Sequence, residues 1–177
     1  MSLTRSERDA ALKAIYDRIP TIPDCQGRCW VSCGPIDMSD RERQKIRQAG
    51  YRITPRDIAL AQPDAFYCDA LTEEKRCAVY ELRPLVCRLW GAVENMRCPY
   101  GCQPEWWLTD DEAYAMIIES MRVGGGQYQL PDSATVRAAL ASAWFKREMS
   151  ERMEEGNAIE RNRVKGTIPA AFRRGDP

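Results

Sequence analysis

The sequence contains no histidine. That absence removes a His general base, the Ser-His and Cys-His nucleophile pairs and the Cys2His2 zinc site. Net charge is missing as well, because 26 Lys+Arg balance 26 Asp+Glu. A neutral chain gives no electrostatic case for nucleic acid or an anionic membrane as partner. No stretch reaches the roughly 18 consecutive apolar residues that mark a membrane span, and the apolar patch from Pro84 to Val93 is broken by Arg88. The opening residues MSLTRSERDAALKAIYDRIP lack the apolar core of a secretory signal. A cytoplasmic, reducing setting is therefore expected, where clustered cysteines point to metal or redox work rather than disulfides. No C-x-x-C occurs, which argues against a thioredoxin-like switch. A glycine-rich cofactor loop and an internal repeat are also absent.

What is present is eight cysteines in 177 residues, all in two clumps. Cys25, Cys29 and Cys33 form C-x3-C-x3-C; Cys68, Cys77, Cys87, Cys98 and Cys102 follow, the last two again as C-x3-C. Three thiols on one short loop can wrap onto one centre. Zinc takes four thiolates with pairs spaced C-x2–4-C, and iron–sulfur clusters often take three Cys from one loop and a fourth from elsewhere. Gly27 and Gly34 in the first loop can adopt positive φ and aim backbone amides at sulfur. Any one of Cys68, Cys77 and Cys87 alone has the small buried hydrophobe as its lesser reading; the clumping in loops is what favours ligation. Arg83 and Arg88 flank Cys87 and are candidates for a supporting role, offsetting the charge of a four-thiolate site and donating hydrogen bonds to sulfur. Arg28 and Arg76 read better as solvated surface groups.

The elements around these loops follow from caps and periodicity. A helix is expected over Ser6–Ile19, with Thr4 and Glu7 in capping-box spacing and Pro20 as its stop. Ser39 and Glu42 open a second, mostly charged helix, read as a surface helix ending at Gly50. Thr54-Pro55 begins a short one reaching Ala61. Ala65–Cys68 and Cys77–Tyr80 read as the strands of a short β-hairpin, and the residues after Pro84 as a helical turn presenting Cys87. Thr109 and Glu112 cap a helix whose apolar face is Ala113, Met116, Ile117, Ser120 and Met121 and which Gly124-Gly125-Gly126 ends. A last helix is expected over Ser133–Glu155. The expected fold is thus α-rich and irregular: helices around a loop-rich, metal-stapled Cys cluster with a minor hairpin. Residues 1–156 form a single domain, with a metal-binding core at 24–104 and helical flanks at 4–19 and 109–155, and 157–177 form a basic extended tail.

The segment CAVYELRPLVCRLWG, Cys77–Gly91, resembles the signature of the YkgJ-type cysteine-cluster family: Cys77, Val79, Tyr80, Arg83, Pro84, Cys87 and Arg88 match its C-x-[IV]-Y-x-x-R-P-x-x-C-R pattern. Cys25, Cys29 and Cys33 correspond to its N-terminal run and Cys68 to its intervening Cys. The resemblance covers about Cys25 to Cys102 and implies a zinc- or iron-chelating function with cysteine ligands. Some members are relatives of a flagellin lysine methylase with an iron–sulfur cluster, but no methyltransferase domain accompanies the Cys region here. The family's run ordinarily ends in a Cys-Cys pair, whereas Cys33 stands between Ser32 and Gly34. One thiol is thus missing, and Cys98 or Cys102 is left to supply a fourth ligand.

These readings imply a metal-binding cysteine-cluster protein. All eight cysteines are candidate ligands, and zinc or a [4Fe-4S] cluster is the cofactor. The role is structural or adaptor, with no catalytic residue assigned and with an iron–sulfur redox enzyme or enzyme subunit as the alternative. A radical S-adenosylmethionine enzyme is disfavoured, because the spacing is off by one residue and no βα alternation is present. A protein partner would dock through the basic tail, with Arg161, Arg163, Lys165, Arg173 and Arg174, or through Trp106-Trp107. For the tryptophans, packing onto the Thr109 helix is the favoured expectation.

Overall fold

Three capping boxes set the three longer helices. In the computed structural model the side chains of Thr4, Ser39 and Thr109 each accept from the backbone N–H three residues on, and Glu7, Glu42 and Glu112 reach back to the cap backbone. These close α1 (Arg5–Tyr16), α2 (Asp40–Gln48) and α5 (Asp110–Gly124) at their N-terminal ends. Between them lie α3 (Arg56–Leu60) and α4 (Leu85–Leu89). Among the described residues there are also two 3₁₀ turns, Cys29–Ser32 and Tyr80–Leu82. The described residues are 3–25, 27, 29–60, 67–98, 100–126, 151 and 154. They fall almost wholly in the first of the chain's two units, Met1–Gln129. The helix expected over 133–155 lies outside them except for Glu151 and Glu154, which are helical. The basic tail, Arg28 and the start of the first expected strand lie outside them altogether.

Two apolar clusters hold this unit. The first joins Leu12 and Ile15 of α1, Leu85 and Leu89 of α4, Val93, Leu108, and Ala113, Met116 and Val123 of α5. Burying an aliphatic side chain of this kind stabilises by about 1.5–3 kcal/mol, so α5, which touches α1, α2 and α4, is the hub. The second cluster is Met38, Ile46, Ile53, Ala70 and Val79, with Cys68 and Cys77 packed against it.

The charged α2 is not the surface helix its composition suggests. Arg41, Glu42 and Ile46 are all buried. The Glu42 carboxylate accepts hydrogen bonds from the Ser39 amide and hydroxyl, the Tyr16 hydroxyl and the Leu85 amide at 2.7–2.8 Å. Arg41 donates to both carboxylate oxygens of Asp9 on α1. A buried charge is tolerable when so fully bonded, and the bonds from Tyr16 and Leu85 and to Asp9 are long-range, beyond the reach of a composition argument.

The expected hairpin shrinks to a single antiparallel bridge, Leu71 to Cys77. Hydrogen bonds from Thr72 N to Arg76 O and from Ala78 N to Ala70 O flank it. Lys75 takes positive φ in the turn and lies over the Trp30 ring. Tyr80 leaves the bridge for the second 3₁₀ turn, which ends strand pairing there. Among the described residues there is no sheet, and the helix-rich character stands.

Candidate metal centre

Cys29 opens the first 3₁₀ turn, and the Cys33 amide prolongs it by bonding to the Trp30 carbonyl at 2.9 Å. With three residues per turn, positions four apart are rotated by about 120°. Cys25 and Cys29 line one cavity; the Cys33 thiol donates to the Cys29 carbonyl at 3.8 Å and also has Cys87 in its neighbourhood.

Cys25, Cys29, Cys98 and Cys102 line one cavity of about 300 Å³, together with Ile22, Asp24, Trp90, Gly91, Tyr100 and Gly101. Cys25 is exposed and the other three are half-buried. The two C-x3-C loops are tied directly: the Cys102 thiol donates to the Asp24 carbonyl at 3.4 Å. Gly91, with φ of 88°, forms the floor, where an added Cβ would lie 2.9 Å from Ile22 and 3.7 Å from the Cβ of Cys98. Gly101 also takes positive φ, turning the chain back between Cys98 and Cys102. Burial, a hydrogen bond with Cys98 and the neighbouring Cys25 and Asp24 push the Cys102 thiol up to about 11. Burial likewise raises Cys29, helped by Cys25 and Cys98 and opposed by Arg83.

Cys33, Cys68, Cys77 and Cys87 make the second set. Burial pushes the Cys87 thiol far up, and the thiols of Cys33, Cys68 and Cys77 add to the shift while Arg83 opposes it. Burial also raises Cys68, whose sulfur takes a hydrogen bond from the Ala70 backbone and lies near Cys77. Helix α4 carries Cys87, the Leu71–Cys77 bridge carries Cys77, and the turn before it carries Cys68.

Arg83 serves both sets. Its Nε donates to the Tyr80 carbonyl at 2.9 Å, its guanidinium stacks 3.6 Å from the Tyr80 ring centre, and its charge favours the thiolates of both Cys29 and Cys87. Arg88 is placed differently: it donates to the carbonyls of Arg83 and Glu81 and lies over Tyr16, fixing the turn that leads into α4. Two contributors, Tyr80 within the matched motif and Trp90 just after it, were assigned no role from the sequence. Tyr80 hydrogen-bonds with Cys25 and packs its ring over Gly27. The indole N–H of Trp90, on the wall of the cavity, is buried with no hydrogen-bond partner.

The donor chemistry at the cavity is sulfur, which suits a soft cation or cluster, but among the described residues no three Cys, Asp or Glu side chains are grouped closely enough to hold a metal ion. All eight cysteines are free thiols, and ligation must displace their protons. Trp106, by contrast, is 54% exposed rather than packed on α5, while Trp107 lies under Arg97.

No curated protein and no solved structure matches the chain. Among the described residues no helix is long and apolar enough to cross a membrane. Residues 24–106, which carry all eight thiols, match the model of the CxxCxxCC family, described as "Putative zinc- or iron-chelating domain".

Proposed function

We propose that residues 24–106 chelate metal through cysteine thiolates and thereby staple a loop-rich segment, in a structural or adaptor role inside a reducing cytoplasm. The observation that carries this reading is the cavity in which two C-x3-C loops present Cys25, Cys29, Cys98 and Cys102 beside the unpartnered indole of Trp90. A bound thiophilic ion would supply cross-linking between loops that have few apolar contacts of their own. The chain's residues do the rest: Arg83 offsets thiolate charge, Gly91 and Gly101 give the loops their turns, and Trp90 donates toward sulfur.

A second reading, an iron–sulfur redox module, is favoured by the size of the cavity. Four sulfurs at about 2.3 Å from one zinc ion enclose almost no free space, whereas about 300 Å³ admits a cluster of several atoms. Elemental analysis of anaerobically purified protein tests both. Colourless protein with zinc supports the first reading, and brown protein with iron and acid-labile sulfide the second. Folded, metal-free protein with eight reactive thiols overturns both.

Trp106 is the part of this segment through which a protein partner would dock. Trp106→Ala should leave metal content and melting temperature unchanged while reducing co-purification of that partner; an unchanged yield would remove this surface from consideration.

A further inference from the structure

Helix α5 buries Ala113, Met116, Ser120 and Met121 on one face and touches α1, α2 and α4. On the opposite face Asp111, Ala115, Ile118 and Arg122 are all exposed. With about 3.6 residues per turn, these four lie within about 60° of one another, in a stripe about 16 Å long. Tyr114 borders its apolar centre, and Tyr114 and Ile118 are 43% and 39% exposed. Single exposed apolar side chains are ordinary; what sets this stripe apart is the charge at its two ends. The acids of the first turn are differently engaged. Asp110 accepts from the Asn95 amide, and Glu112 closes the capping box. Asp111 makes no hydrogen bond or ion pair among the described residues, and neither does Arg122 in the last turn.

The stripe is complementary to itself in one orientation. When a second copy is turned end for end about an axis between positions 116 and 117, Asp111 comes opposite the partner's Arg122, and Ala115 opposite the partner's Ile118. Small Ala115 leaves room for that isoleucine and lets two helix axes approach to the usual packing distance of about 8–10 Å. The two helix dipoles then run antiparallel, each acidic first turn beside a basic last turn. A parallel pairing would set acid against acid and base against base.

We propose that a second copy of this chain docks on the exposed face of α5, helix against helix, antiparallel and two-fold. The occupant is a second copy because acid, apolar centre and base follow one another with spacings of four, three and four residues, a pattern that reads the same from either end and so matches its own reverse. Such an interface is isologous. One helix face is small for a permanent interface, so the pair is a concentration-dependent dimer whose two charge pairs fix its register. The proposal stands apart from metal chelation; it adds that two cysteine-rich segments are held in one assembly.

Sedimentation velocity on the full chain, in reductant and across the micromolar range, tests this. The weight-average mass of the wild type should rise toward twice that of the chain, and less so in high salt, which screens the exposed charge pairs. Asp111→Arg and Arg122→Asp should each weaken self-association by roughly tenfold or more, because like charges then face each other. An equimolar mixture of these two variants should pair again, since each reversed charge meets its opposite on the other copy. The double variant Asp111→Arg, Arg122→Asp should pair by itself. Ile118→Ser should weaken pairing with no change in far-UV spectrum or melting temperature at dilutions where the chain is monomeric. A wild type that stays monomeric, single variants that pair as well as wild type, or a mixture that does not recover would each overturn the proposal. So would a lower melting temperature of monomeric Ile118→Ser, which would show that the face is covered within the chain itself.

Discussion

Arg83 is the residue whose loss should be felt at both thiol sets. It is fixed by its bond to the Tyr80 carbonyl and by stacking on the Tyr80 ring, and its charge favours ionised Cys29 and Cys87. Arg83→Gln keeps much of the side chain's length and a donor but removes the charge. Groups that support ligands in this way are typically worth about 10–100-fold in metal affinity, so a chelator competition should show weaker zinc binding. Retention of wild-type affinity would mean that the guanidinium serves only the turn. Glu42 is the matching test of packing. Its four short bonds join α1, α2 and α4. In Glu42→Gln at least one donor loses its acceptor, at a cost of about 1–3 kcal/mol for a buried group, measurable as a lower urea midpoint. The two residues also show where sequence reading stops. Arg83 was legible because its neighbour Cys87 is four residues away. The buried role of Glu42 was not, because Tyr16 and Leu85 stand 26 and 43 residues distant along the chain, and a helix of mostly charged residues looks solvated until those partners are known.

At the scale of elements, local chemistry was the reliable guide. All three capping boxes formed as the spacing predicts, because each needs only residues within one turn. The hairpin failed because pairing depends on what lies across from each residue: 3₁₀ geometry at Tyr80 stops the ladder after one bridge. The α1–α2 contact supplies a prediction with a definite sign. Arg41, then Lys45, beside Asp9 pull that carboxyl from its usual 3.8 to about 2, against the opposing effect of burial. A carboxyl whose folded value is depressed contributes stability above its ordinary value and loses that contribution as pH falls through the folded value. Wild type should therefore melt above Asp9→Asn at pH 5 and higher, and the gap should close between about pH 4 and pH 2. The gap is modest because Asp9 is one-third exposed. A gap that stays constant over that range would show that the amide loses geometry rather than charge.

For the whole unit, the two apolar clusters and the two thiol sets divide the labour of holding it together. The first cluster is made of helices that bury Leu12, Ile15, Leu85, Leu89 and Met116 against one another, an arrangement that needs no metal. The second is smaller, and Cys68 and Cys77 are part of its packing. The stretches between Ile22 and Ile36, and between Val93 and Leu108, have only a 3₁₀ turn, one parallel bridge and scattered backbone bonds. Under the chelating proposal, ligation adds to the order that buried Trp30 and Val31 give the first stretch, and in small zinc-bound folds it contributes about 10–16 kcal/mol of apparent binding energy at neutral pH. Chelator treatment should therefore not unfold the unit uniformly. Hydrogen exchange after full metal removal should keep the amides of α1 and α5 protected, while protection falls at Leu71, Ala78, Gly91 and Gly101, whose bonds lie in the bridge and the thiol loops. Far-UV circular dichroism should lose little helix signal, whereas limited proteolysis should begin near Cys25 and Cys98. Simultaneous loss of protection in α5 would show that α4, which carries Cys87 and buries Leu85 and Leu89 against that helix, transmits ligation into the helical cluster and makes the whole unit one metal-dependent cooperative fold.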